Sequence, residues 1–167
     1  MAASVHKNRS AVPAFTLAEM LVALAIMGLI LTAIATAFHA SAVNYRENAS
    51  IAEAMNSARN ALTTMTTLIR TGQPNPSAEA VGTLSLVTAE NHHVVFRHDN
   101  AQRTIYYSNN TMGIANRKLS ENVTSLVFTK TLTPSGDVKS VVISMTVQVN
   151  NITETFTAAA VVRRNLP

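Results

Sequence analysis

Glu19 is an acid with no obvious partner. It sits at the mouth of an apolar run, and no other Lys, Arg, Asp or Glu occurs between Arg9 and Arg46. A carboxylate inside a spanning helix costs on the order of 2.5–3.5 kcal/mol even on a mild insertion scale. Two readings follow. Either Glu19 lies at the interface, solvated by headgroups and favoured by the positive end of a helix, or it meets a cation at the same depth. A cut just before Phe15 would create such a cation, because the new α-amine stands one helical turn from Glu19, in the same chain or in a neighbour's.

Other reactive groupings are weaker. His92, His93, His98 and Asp99 form the one metal-like cluster. On a straight strand His92 and His98 share a face but lie roughly 20 Å apart, and His93 points the other way. A tight hairpin at Asp99-Asn100 would be needed to bend them toward other residues, so an exposed polar strand end is expected and no metal. There is no cysteine and no Gly-x-Ser-x-Gly turn, and the glycines are isolated rather than gathered into a phosphate loop. Neither a cofactor nor catalysis is expected. The sequons at Asn48, Asn109, Asn122 and Asn151 are ascribed to a chain rich in Asn and Thr.

The element that positions Glu19 is the apolar run itself. Met20 to Phe38 is about 28 Å long as a helix, close to the roughly 30 Å of a bilayer's hydrocarbon core. Residues 1–14 form a basic leader with Lys7 and Arg9, whereas the first charges beyond the run, Arg46, Glu47, Glu53 and Arg59, are mixed. This asymmetry predicts a single pass through the inner membrane, N-terminus in the cytoplasm and the rest exported. Ala35-Thr36-Ala37 and Ala40-Ser41-Ala42 also fit the small-residue site of an ordinary signal peptide. That reading leaves Glu19 unexplained, and the run is longer than a usual signal core. A mature chain beginning at Phe15 separates the first reading from one beginning at Phe38 or Val43.

Ala14-Phe15-Thr16-Leu17-Ala18-Glu19-Met20, continuing through Leu21-Val22-Ala23-Leu24-Ala25-Ile26, resembles the N-terminal signal of type IV pilins and type II secretion pseudopilins. The resemblance implies cleavage by a prepilin peptidase between Ala14 and Phe15, N-methylation of Phe15, and a role for Glu19 in filament assembly. The family usually has glycine before the cut; here Ala14 stands there, a residue small enough to be tolerated.

Beyond the membrane run, Ile51, Met55, Ala58, Leu62, Met65 and Ile69 recur at alternating spacings of four and three, the apolar stripe of an amphipathic helix. One helix is therefore expected over residues 15–72, with Gly28 a possible kink and Thr36 a second soft spot. Arg70 in its last turn, Gly72 beyond it, then Pro74 and Pro76 supply the stop. The outer stripe is expected to cover a sheet of the same subunit, and the membrane half to pack on partner helices.

Gln73–Ala80 reads as a loop, after which the period becomes two. Strands are expected at Val81–Thr88, His93–Arg97, Arg103–Ser108, Met112–Leu119, Val123–Leu132, Lys139–Val149 and Ile152–Val162. Leu126, Phe128 and Leu132 should share one face, as should Val141, Ile143, Met145, Val147 and Val149. Short connections imply antiparallel neighbours. The expected fold class is α+β, a long helix whose second half packs on an antiparallel sheet spanning residues 73–167. Thr104–Tyr107, Arg117–Leu119 and Val123–Phe128 are similar to late strands of minor pseudopilins of the J class and related minor pilins, and the terminal Val161-Val162-Arg163-Arg164-Asn165 is similar to the C-terminal strand of those families.

The formal net charge is +4, but the thirteen Lys and Arg residues are scattered, which argues against nucleic acid as the primary partner. The expected function is a structural subunit of a type II secretion pseudopilus. The alternatives are a minor pilin of a type IV pilus, for adhesion or DNA uptake, and a membrane-anchored binding domain that never polymerises. Expected partners are the prepilin peptidase, other pilins or pseudopilins, and the inner membrane.

Overall fold

A computed structural model describes residues 15–163. The expected leader, residues 1–14 with Ala14 before the expected cut, and Arg164-Asn165 of the terminal segment lie outside them. Helix α1 runs from Leu17 to Thr71 and continues through Gly28 and Thr36 without a break. Its stop is built by Gly72, whose N–H donates to Leu68 O at 2.8 Å. A Cβ at position 72 would stand 2.8 Å from that oxygen and 2.9 Å from Leu86 Cδ1, so only glycine lets the chain turn this closely beneath the neighbouring strand.

The chain divides into two compact units, the first ending at Arg46 and the second beginning at Glu47. In the first, every described residue is exposed. Its Thr32 and Thr36 hydroxyls donate back to Gly28 O and Ala33 O, both at 2.8 Å. Such back-bonding is how a hydroxyl is satisfied where water is absent.

The second unit contains β1 (Gln73–Pro74), β2 (Thr83–Val87), β3 (His93–Asp99), β4 (Thr104–Asn109), β5 (Ile114–Ser120), β6 (Val123–Leu132), β7 (Val138–Val149) and β8 (Ile152–Val161). All are antiparallel, in two sheets ordered β1-β2-β3-β4-β5 and β6-β7-β8. Ala54, Ala58, Ala61, Leu62, Met65 and Ile69 of α1 enter one apolar core with Leu84, Phe96 and Ile105 of the first sheet and Leu126, Ile143 and Met145 of the second. Alternation along β7 does the same on a strand, burying Val141, Ile143, Met145, Val147 and Val149. The protein is α+β.

Three details differ from the sequence reading. There are two sheets rather than one. Gln73–Pro74, expected within a loop, pairs with Val87 and Leu86 as a short edge strand, a position where proline's missing N–H does no harm. Leu132 is 49% exposed; it is the last residue of β6 and pairs with Val138 beyond a register shift in which β7 carries the extra residue.

The two sheets are stitched by polar groups at the start of β6. His98 Nε2 lies 2.9 Å from Val123 O, and Val123 N–H donates to Arg103 O at 2.8 Å. Farther along β6, Lys130 Nζ donates to Asn75 O at 2.6 Å, Ser77 O at 3.0 Å and Glu79 Oε2 at 2.7 Å. Glu79 Oε1 in turn accepts from the N–H of Ser85 at 2.8 Å and from its hydroxyl. This largely buried ion pair has all three ammonium donors used.

Candidate functional site: the start of the long helix

Thr16 and Glu19 cap α1 reciprocally. Glu19 Oε2 accepts from Thr16 N–H at 2.8 Å and from its hydroxyl at 2.9 Å, and Glu19 N–H approaches Thr16 Oγ1 at 3.3 Å. The first turn closes with Met20 N–H on Thr16 O at 3.2 Å. This is the Thr-x-x-Glu capping box, in which two donors that the helix itself cannot satisfy are paired. Glu19 is therefore satisfied within its own chain, without a cation. Sequence reasoning weighed the acid only for its charge and missed Thr16; the Thr-x-x-Glu spacing was the signal. Both bonds fall on Oε2, which leaves Oε1 for a second donor.

Around this cap the surface is apolar. Phe15 is 80% exposed, and Leu17, Met20, Leu21 and Leu24 are exposed with it. The helix is long and apolar enough to cross a membrane, and none of its most apolar window is buried in the protein.

Other sequence-predicted residues are placed elsewhere. On the outer half of α1, Ala58, Leu62, Met65 and Ile69 are buried, Ile51 and Met55 half-buried. Ala54 and Ala61 are buried too. They lie on the same face, three residues after Ile51 and Ala58. Among the described residues no His, Cys, Asp and Glu group is placed to hold a metal. His98 ties the sheets, His92 N–H is 3.2 Å from Thr88 Oγ1, and Asp99 Oδ1 caps the β3–β4 turn through Ala101 and Gln102 N–H, both at 3.1 Å. The hairpin does form, but it employs Asp99 in the turn. Of the sequon asparagines, Asn109 is buried and holds Met112 N–H at 3.1 Å.

Residues 9–35 match a family model described as the prokaryotic N-terminal methylation motif. The chain carries a prepilin-type signal. That signal belongs to type IV pilins and pseudopilins, and its match takes in Phe15, the Thr16–Glu19 cap and the apolar start of α1. It implies processing by a prepilin peptidase and pilin-type assembly. Among curated proteins and solved structures, none matches the chain.

Proposed function

We propose that this protein is a structural subunit, a minor pseudopilin of a type II secretion pseudopilus, assembled through its N-terminal helix. Residues 1–14 are removed as a leader, residues 15–72 form the assembly helix, and residues 73–167 complete the exported domain. The observation that carries the reading is the prepilin-type signal on a helix whose apolar surface the protein itself leaves uncovered. The short similarities at Thr104–Tyr107 and Val123–Phe128 favour a minor subunit of the J class.

Before processing, the precursor spans the inner membrane with its N-terminus inside. A peptidase cuts between Ala14 and Phe15 and methylates the Phe15 amine. In the filament the Phe15 amine of one subunit meets the unused Oε1 of Glu19, while Oε2 keeps the helix capped. Burying such a pair is costly in itself, so its value is the register it imposes between subunits. The role is mechanical, with no catalytic step.

The test is the mature N-terminus of the protein expressed with a prepilin peptidase. A methylated Phe15 as first residue is the expected result. A chain that keeps Met1–Ala14, or begins at Phe38 or Val43, overturns it. Gene neighbours encoding a secretin and secretion ATPase, rather than a retraction motor and adhesins, separate the pseudopilus from a pilus.

A further inference from the structure

Among the described residues four strand edges bound the two sheets, and three of them are closed. At the β1 end, Asn75 N–H donates to Ser85 O at 3.0 Å, and the Glu79 carboxylate takes the Ser85 N–H where a further strand would have bound. The β5 edge carries register shifts against β4, a left-handed Asn116, the exposed charges Arg117 and Lys118, and the Ser57 hydroxyl on Leu119 O at 3.2 Å. The β6 edge begins against Arg103 O and His98 and is held farther along by Lys130. These are the bulges, charges and covers by which proteins prevent edge-to-edge pairing.

Among the described residues the outward-turned backbone of the β8 edge has none of them; the Arg59 guanidinium of α1 lies 5.8 Å from the Phe156 ring centroid, on the strand's other face. Its ten residues pair with β7 in unbroken register from Ser140↔Val161 to Val149↔Ile152. It contains no proline, lysine or arginine, and a single charge, Glu154. The two-residue turn makes Val149 and Ile152 a closing hydrogen-bonded pair, and Val162 N–H on Lys139 O at 2.9 Å continues the same phase. Even-numbered residues of β8 thus direct their backbone groups to β7. Odd-numbered Thr153, Thr155, Thr157, Ala159 and Val161 direct theirs outward, and all are exposed.

We infer that this edge pairs with the β8 edge of a second copy of the chain, antiparallel and centred on Thr157. That register is self-complementary. Thr157 meets its own counterpart, Thr155 meets Ala159, and Thr153 meets Val161, so every outward-turned N–H and C=O of the strand finds a partner. A centre at any other residue leaves some unpaired. Glu154 falls opposite Ala160, which keeps the two acids apart. The outer faces that become continuous are uncharged on both sides: Ser140, Val142, Ser144 and Thr146 of β7 flank Thr155, Thr157 and Ala159 of β8. The inference stands independently of the filament reading.

The chain has no cysteine, so single-cysteine variants of the purified full-length protein in detergent test it directly. Antiparallel hydrogen-bonded residues have Cα atoms about 5.5 Å apart, within disulfide range. Thr157→Cys should oxidise to a covalent dimer. Thr153→Cys, whose counterpart would be roughly 27 Å away at the strand rise, should give at least tenfold less, as should Ala115→Cys on the closed β5 edge. Adding Thr155→Lys and Ala159→Lys should abolish the Thr157→Cys dimer, with unchanged circular dichroism showing that the fold is kept. No dimer from folded Thr157→Cys, equal yields at all three positions, or a dimer indifferent to the lysines overturns the inference.

Discussion

A glutamine at position 19 separates two roles for the native acid. Its side-chain oxygen can still accept from Thr16 N–H, since capping boxes use Glu or Gln alike, but it offers no charge to an amine. Glu19→Gln should keep the helix start, read as amide exchange at Thr16 and Met20 within about twofold of native, and Glu19→Ala should lose it. Loss of an N-terminal cap is worth about 1 kcal/mol. Both variants should be cleaved, and both should fall at least tenfold in incorporation into filaments. Native-level incorporation of the glutamine variant would show that the cap alone is what the acid supplies. The charge and position of Glu19 were legible in the sequence. Its bond to Thr16 was equally so, because the spacing that makes it is local, yet attention to charge alone concealed it.

At the scale of elements, legibility followed the range of the interaction. The stripe on α1 and the alternation on β7 each follow from a single element's own period, and residues such as Met65 and Ile143 are fully buried as that periodicity requires. The division of the strands between two sheets depends on which distant backbones meet, as where Val123 binds Arg103 rather than a hairpin neighbour, and no local pattern encodes it. Leu132 was misplaced because alternation along β6 sets the face of a residue but not where the cover ends, and Leu132 is the last residue of the strand. Close approach of helix and sheets rests on small residues, and Ala58 has no exposed surface. Ala58→Leu should therefore destabilise the unit by about 1–3 kcal/mol through overpacking, measured as a lowered midpoint of urea unfolding. An unchanged midpoint would mean that the helix rides above the sheets rather than in the core.

Considered as a whole molecule, the chain has its compact boundary inside a helix rather than after it. The second unit begins at Glu47, and its core draws on Ala54 through Ile69 as much as on the strands. A fragment of residues 47–167 should be soluble and unfold in one sharp transition. One of residues 73–167, cut where strand periodicity begins, should expose Phe96, Ile143 and Met145 and aggregate or remain unfolded. Cooperative unfolding of the shorter fragment would show the helix to be dispensable. With no disulfide available, nothing covalent compensates for the missing layer.

The back-bonded hydroxyls of Thr32 and Thr36 carry a mechanical implication. Since each is already satisfied by a carbonyl of its own helix, neither would tether this stretch to its surroundings in the assembly proposed above. What such a helix would lose on leaving an apolar surround is the cover on its alkyl surface, at about 25 cal/mol for each Å², beside the cost carried by the Glu19 charge. In that proposed assembly an equally apolar neighbouring helix would offset the loss, so leaving lipid and joining a neighbour would be a single exchange of one dry contact for another.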